Sequence, residues 1–125
     1  MTVLAMTMGN FESTIDDNAM VIVDFWAPWC GPCRAFGPIF EKVSEQYPDV
    51  VFAKVNTDEE RELAGTFQIR SIPTLMVFKE KTIVYSQPGM VPEKEFSELV
   101  QKVRELDMEK ARKEMAAKKA GPDGD

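Results

Sequence analysis

The chain has 125 residues, of which 44% are hydrophobic and 29% charged, so it is long enough to form one globular domain with an ordinary core. Its 21 acidic and 15 basic residues give a net charge of −6 at pH 7 without a basic cluster in the main body, so we expect no nucleic-acid partner. No apolar run approaches the roughly 18 residues of a membrane span, and the first basic residue is Arg34, so we expect no membrane segment, no secretory signal and a cytoplasmic location.

The N-terminal region predicts one short strand and one short helix. Residues 3–6 fit a short edge strand. Asn10 is a suitable helix cap, and the helix that it would begin carries Phe11 and Ile15 toward the core.

Residues 20–26 form a nearly continuous apolar run, which is typical of a parallel strand covered on both faces. Asp24 is the exception within it. An aspartate at a strand end that faces water would be the simpler interpretation. Burial inside this strand would instead raise its pKa and make it a proton acceptor near neutral pH, six residues before Cys30. We favour the interpretation of Asp24 as a buried proton acceptor.

The two cysteines of the chain, Cys30 and Cys33, directly follow this strand. A helix that begins at Gly31 or Pro32 would place both sulfurs on one face, close enough to form a disulfide. Pro32 suits the first turn of a helix. Cys30 would then lie at the positive end of the helix dipole, which stabilises a thiolate and makes it the attacking sulfur. Cys33, one turn further on, is expected to be more buried and to act as the resolving cysteine.

Two other interpretations of the cysteine pair are weaker than redox chemistry. A zinc site needs four ligands, and the chain has no other cysteine and no histidine, so only a dimer could complete one. A structural disulfide across so short a loop would restrict the unfolded chain little. We therefore expect no metal, and the lack of a glycine-rich phosphate motif predicts no nucleotide cofactor.

The helix after the cysteines is followed by a second buried strand at residues 50–55, so a right-handed crossover should connect the two strands. Apolar residues recur along the helix at steps of three and four. They are Cys33, Phe36, Phe40, Val43 and Tyr47.

The next segment predicts a short helix and a hairpin. Thr57 and Glu60 fit a capping box that begins the helix. Residues 75–78 and 82–85 look like antiparallel strands joined at residues 79–81, a turn without glycine or asparagine.

The C-terminal part predicts a helix from about Pro92 that packs on the sheet. Its apolar positions are Phe96, Leu99, Val100, Val103 and Leu106. Residues 107–120 are expected to continue it as an exposed, solvated helix with Glu109–Lys113 and Glu114–Lys118 pairs, and residues 121–125 to be a flexible end. A partner-binding role for this charged tail is the less favoured alternative.

The segment Trp29-Cys30-Gly31-Pro32-Cys33 resembles the active-site motif of the thioredoxin family, and further matches extend over about residues 3–106. The resemblance implies an α/β thioredoxin fold, with a central mixed sheet of four or five strands, helices on both faces and the active site at the end of the strand that closes near Trp26. It divides the chain into a thioredoxin domain, 1–106, and a charged helical extension, 107–125.

The resemblance also implies roles for two charged residues. Asp24 would lie beneath the active site and assist deprotonation of Cys33. Lys54 resembles the lysine of the family that lies close to that aspartate, although a lysine that snorkels from a strand end is an equally good interpretation.

Four further residues match the substrate-binding surface of the family. Trp29 would form its rim. Pro73 would be cis and face the cysteines, with the backbone of Ile72 free to pair with an extended target segment, although trans is the default for a proline. Gly89 would lie in the loop beside the site, although a glycine after a proline is also an ordinary turn residue.

The function that the resemblance implies is reduction of protein disulfides by a monomeric thiol–disulfide oxidoreductase, re-reduced by an NADPH-dependent thioredoxin reductase. Gly31 and Pro32 support the reducing direction, because oxidases of this kind often carry a histidine between their cysteines. The alternatives are a non-catalytic adaptor and a disulfide oxidase or isomerase of an oxidising compartment.

Overall fold

The computed structural model describes residues 3–120, with side chains through residue 117. The strands are β1 (Val3–Ala5), β2 (Met20–Trp26), β3 (Val51–Asn56), β4 (Thr74–Lys79) and β5 (Thr82–Pro88). The helices are α1 (Met8–Asp17), α2 (Gly31–Gln46), α3 (Arg61–Thr66), α4 (Glu93–Arg104) and α5 (Met108–Ala120). No helix within this described part is long and apolar enough to cross a bilayer.

The strands form one mixed sheet in the order β1-β3-β2-β4-β5. Strands β1 and β2 run parallel to β3, whereas β4 is antiparallel to both β2 and β5. The predicted mixed sheet is therefore confirmed, with β1 at one edge. The parallel strands β1, β2 and β3 end at the same edge of the sheet, and this edge carries the cysteine pair.

The core has one layer on each face of the sheet, because side chains alternate along a strand. Along β2, Met20 and Ile22 face a layer that includes Phe36 and Phe40 of α2 and Phe96 of α4. Val21, Val23 and Phe25 face the opposite layer, which includes Ile15 of α1 and Leu63 of α3. This confirms the prediction of a strand covered on both faces and places Asp24 on the α2 side.

Two predicted helix starts are wrong. The N-cap of α1 is Thr7, whose Oγ1 accepts the Asn10 N–H at 3.3 Å while Asn10 Oδ1 accepts the Thr7 N–H at 2.8 Å. Asn10 is thus the third helical residue of a reciprocal capping box. Thr57 does not cap α3, because its N–H and hydroxyl both donate to the Trp26 carbonyl at the end of β2. The helix begins only at Arg61, after Glu60.

The β4–β5 hairpin closes with a two-residue turn, Glu80 and Lys81. Both residues have positive φ, of 50° and 67°. This is the conformation that favours Asn-Gly in such turns, which explains why the sequence did not identify its length. The register between the strands shifts between Val77 and Phe78.

The prediction that the tail continues α4 is wrong, because the tail forms a separate helix, α5. Leu106 lies beyond the end of α4 and is exposed rather than part of its buried stripe. Asp107 Oδ1 accepts the Lys110 N–H at 3.2 Å and begins the new helix, in which Met108 is buried. The predicted Glu109–Lys113 pair is present at 3.6 Å. The Lys118 side chain and residues 121–125, on which two further predictions rest, lie outside the described part.

Lys79 accounts for the break between α4 and α5. Its Nζ donates to the carbonyl oxygens of Val103 at 2.7 Å, Arg104 at 2.9 Å and Leu106 at 2.9 Å. These carbonyls belong to or follow the last turn of α4, where backbone donors become scarce, although the Val103 carbonyl also accepts the Leu106 N–H at 3.1 Å. One ammonium group thereby joins the hairpin to the end of the helix.

We expect Lys79→Met to lower the free energy of unfolding by about 2 kcal/mol, because three backbone carbonyls lose their charged donor while the aliphatic chain is kept. Denaturation with urea measures the change. Lys94→Met is the matched control, since the Lys94 side chain lies exposed on α4 and has no hydrogen bond or ion pair with any described residue. Equal losses in the two variants would contradict the role assigned to Lys79.

Candidate functional site

The cysteine pair lies at the start of α2, at the edge where β2 ends. Cys30 is the N-cap of the helix, and Gly31 and Pro32 are its first two residues, as predicted. Cys30 Sγ accepts the backbone N–H of Cys33 at 3.2 Å. The two cysteines are joined by a disulfide, with their Cα atoms 5.2 Å apart. The disulfide therefore closes across the first turn of α2.

The two sulfur-bearing residues differ little in exposure. Cys30 is 5% exposed and Cys33 is 2% exposed, and both contact Ala27, with Trp26 and Ile72 packed beside them. When the pair is reduced, a Cys30 thiolate would keep the Cys33 N–H as a donor and would lie at the positive end of α2. The Cys33 N–H therefore distinguishes the environments of the two sulfurs, whereas their exposure does not.

Asp24 is fully buried in β2. Among the described residues, neither of its carboxyl oxygens has a hydrogen-bond partner. Burial raises the pKa of Asp24 from 3.8 to about 7, while the positive charge of Lys54 acts in the opposite direction. Alternation along β2 directs Asp24 toward α2, the helix that begins with the cysteines. A carboxyl group whose pKa is raised to about 7 thus lies under the helix that begins with the cysteines.

Lys54 is the neighbour of Asp24 across the parallel β2–β3 pair. Its Nζ lies 4.3 Å from the centroid of the Trp26 ring, a distance typical of a cation–π contact. The same atom would lie 3.8 Å from a Cβ built on Gly37 of α2. A pocket of about 190 Å³, lined by Trp26, Lys54 and Asn56 among others, opens at this corner. Lys54 is therefore half-buried between the sheet and α2 rather than extended into solvent.

The Ile72–Pro73 peptide bond is cis, as the resemblance implied. The Ile72 carbonyl oxygen lies 3.7 Å from Cys30 Sγ. The sheet ladder of β4 begins only at Thr74, so the backbone of Ile72 takes no part in it. A backbone segment suitable for pairing with an extended peptide therefore lies next to the reactive sulfur.

Gly89 lies beside this proline, as predicted. Its N–H donates to the Pro73 carbonyl at 2.8 Å, which fixes the loop after β5 against the active site. Its φ of +100° is a conformation that residues with a Cβ rarely adopt. The backbone conformation is thus a sufficient reason for a glycine at this position.

Trp29 is 67% exposed at the rim of the site. Its indole Nε1 donates to Asp58 Oδ2 at 2.9 Å, which holds the ring in place. Asp58 is a site residue that the sequence analysis missed. The available signal was topological, because Asp58 follows β3 just as Trp29 follows β2, and neighbouring parallel strands end at the same edge. Among the described residues, no cluster of three or more Cys, Asp or Glu side chains is arranged to hold a metal ion.

The match to a family model covers both cysteines and all five strands. A family model described as Thioredoxin matches residues 2–105. The chain is 48% identical over 115 residues to Putative thioredoxin 2 from Streptomyces coelicolor, covering 92% of this chain and 86% of that relative. It is 47% identical over 90 residues to Thioredoxin 1 from Synechococcus elongatus, covering 70% of this chain and 84% of that relative.

Solved structures have the same fold. A thioredoxin variant from Halobacterium salinarum matches with a TM-score of 0.78 at 32% identity, covering 84% of this chain and 93% of the other. A thioredoxin from Plasmodium falciparum matches with a TM-score of 0.74 at 37% identity, covering 79% and 97%.

Proposed function

Because this chain belongs to the thioredoxin family, it is a thiol–disulfide oxidoreductase that acts on disulfides of target proteins, and we propose the following roles for its residues. The observation that carries the proposal is the position of Cys30 as the cap of α2, with its sulfur accepting the Cys33 N–H. Two cysteines in one turn then have different environments and can take different steps.

In the first step, the Cys30 thiolate attacks one sulfur of a target disulfide. A bond forms between Cys30 and that sulfur, the target disulfide breaks, and the second target sulfur leaves as a thiolate. The positive end of α2 and the Cys33 N–H favour the thiolate form of Cys30 before the attack. The product is a mixed disulfide between the two proteins.

In the second step, Asp24 accepts the proton of the Cys33 thiol, and the resulting thiolate attacks Cys30 Sγ. The mixed disulfide breaks, the target leaves with both sulfurs reduced, and Cys30 is bonded to Cys33. A pKa of about 7 suits a group that takes up a proton and releases it again near neutral pH. Lys54 favours the ionised form of Asp24 and so resets it for the next cycle.

Four residues would hold the target. The backbone of Ile72 would pair with an extended target segment next to Cys30, supported by its position outside the sheet ladder. Pro73 and Gly89 would shape the surface under this segment, and Trp29 would cover its other side. Gly31 and Pro32 keep the first turn of α2 free of side chains that donate protons or carry charge.

A complete catalytic cycle needs a reductant, and we propose that an NADPH-dependent thioredoxin reductase supplies the two electrons. The chain between the cysteines, Gly31 and Pro32, contains no histidine, which supports the reducing direction. We further propose that the protein is a cytoplasmic monomer in which residues 1–106 form the catalytic domain and residues 107–125 an extension.

We expect Cys33→Ser to trap the mixed disulfide, because Cys30 can still attack a target but no second sulfur releases it. Incubation with insulin, followed by non-reducing electrophoresis, should give a covalent complex that dithiothreitol dissolves. The double variant Cys30→Ser/Cys33→Ser is the control and should give none. A non-catalytic adaptor, in contrast, would give no covalent complex with either variant, and that outcome would contradict the proposed mechanism.

A further inference from the structure

The rim of the active site carries an exposed methionine. Met90 follows Gly89 and is 44% exposed, so a thioether lies at the surface of the loop that bonds to Pro73. Trp29 is a second large apolar side chain that is exposed at this site. Exposed apolar side chains around a polar site are typical of a surface that a protein partner covers, and methionine is common in such surfaces.

Met90 is held at this rim by both of its neighbours. On one side, the Gly89 N–H donates to the Pro73 carbonyl at 2.8 Å. On the other side, Val91 packs against the core layer that includes Phe36 and Phe96. The loop is therefore fixed next to the Ile72–Pro73 segment, and a target bonded to Cys30 and paired with Ile72 would pass over it.

We propose that Met90 is a site of oxidation by peroxide and that its sulfoxide weakens the docking of protein targets. The inference rests on the proposed function, because it concerns the same docking surface. The thioether sulfur gains one oxygen from hydrogen peroxide, which leaves as water, so the sulfur loses two electrons and the peroxide accepts them. The change replaces an apolar side chain with a polar one at the point where the target would bury it.

Other methionines of the chain allow the effect to be isolated. The side chains of Met6, Met20, Met76 and Met108 are buried, which protects a thioether from peroxide. Two other methionines are about as exposed as Met90: Met8, the first residue of α1, at 45%, and Met115 of α5, at 42%. Met115 lies with Val84 and Leu106 away from the cysteines. Met115 is therefore a matched control for exposure without proximity to the site.

The test treats the protein with hydrogen peroxide while the Cys30–Cys33 disulfide is closed, so that the cysteines are not thiols. Mass spectrometry of peptides follows oxidation at each methionine. Reduction of insulin and of hydroxyethyl disulfide is then measured with dithiothreitol as the electron source. We expect the KM for insulin to rise about threefold to tenfold, with kcat and the reduction of the small disulfide unchanged. Treatment with methionine sulfoxide reductase should restore the original KM.

Variants decide which methionine is responsible. Met90→Leu should abolish the response to peroxide, whereas Met8→Leu and Met115→Leu should respond as the unaltered protein does. Met90→Gln, which places a polar group at the rim without peroxide, should raise the KM for insulin by itself, and Met115→Gln should not.

An unchanged KM in protein whose Met90 is fully oxidised would overturn the inference, and so would an equal response in Met90→Leu. Equal loss on both disulfides would also overturn it, because it would locate the damage at the cysteines. A protein that reduces neither substrate before treatment would overturn the proposed function and this inference with it.

Discussion

Cys30→Ser removes the disulfide-reducing activity, by a factor of at least about a thousand. The serine hydroxyl keeps nearly the same shape, but it is not ionised near pH 7 and forms no bond with a sulfur of the target, so the first step is lost. The reaction is measured as turbidity from reduced insulin with dithiothreitol as the electron source, corrected for the rate with dithiothreitol alone.

The structure of the variant should otherwise be retained, because Cys30 lies at a helix cap, where serine is a preferred residue. Circular dichroism and the unfolding midpoint of reduced wild-type protein give the comparison. Activity above one tenth of the wild-type rate in a folded Cys30→Ser variant would mean that the other cysteine attacks targets first, and it would reverse the assignment of the two roles.

Asp24→Asn makes the oxidised protein more stable above neutral pH, by about 4 kcal/mol. Burial raises the pKa of Asp24 from 3.8 to about 7 in the folded protein, so the folded state binds a proton over a range in which the unfolded state has lost it. The contribution of Asp24 to the free energy of unfolding should therefore be largest below about pH 4, fall as the pH rises to about 7, and be constant above that.

The asparagine variant lacks this titration, so the two curves should coincide at acidic pH and separate through the neutral range. Unfolding by guanidinium chloride at pH 4, 5.5, 7 and 8.5 measures the difference. Parallel curves across this range would show that Asp24 does not titrate between its unfolded pKa and about 7. Lys54→Met provides a second check. Removal of the lysine charge should raise the pKa of Asp24 in the folded protein, so the fall in the free energy of unfolding should extend to higher pH.

The same substitution should cost activity. Without Asp24 no carboxylate takes the proton of Cys33, and we expect release of the mixed disulfide to slow about a hundredfold near pH 7. Single-turnover measurements with a fluorescent target disulfide separate this step from the first attack, which should keep its rate. A variant that gains stability but keeps its release rate would leave Asp24 without a role in the second step.

The sequence predicted those parts of the fold that depend only on residues close together in the chain. The apolar run of β2 is typical of a strand covered on both faces, and two cysteines at the start of a helix bring their sulfurs together by geometry alone. Asp24 was less certain from the sequence, because a strand-end aspartate can also face water, and the structure shows that it is buried.

Features that depend on contacts between distant segments were missed. Thr57 fits a capping box in sequence, but its hydroxyl bonds instead to the end of β2, thirty-one residues earlier. Nothing in the sequence around Asp58 indicates that its carboxylate accepts a hydrogen bond from Trp29. The break between α4 and α5 depends on Lys79 in the hairpin, which no periodicity within the tail could reveal.

The parallel arrangement of β1, β2 and β3 also determines how this protein can be mounted on a support. Val3 is the first residue of β1, and the cysteines follow the last residue of the β2 strand, so Val3 and the cysteines lie at opposite ends of the parallel strands. The ion pair between Arg112 of α5 and Glu80 of the hairpin, at 3.2 Å, lies at the same end as Val3. A resin, electrode or fusion partner attached before Val3 would therefore leave the catalytic face pointing outward and accessible to large substrates.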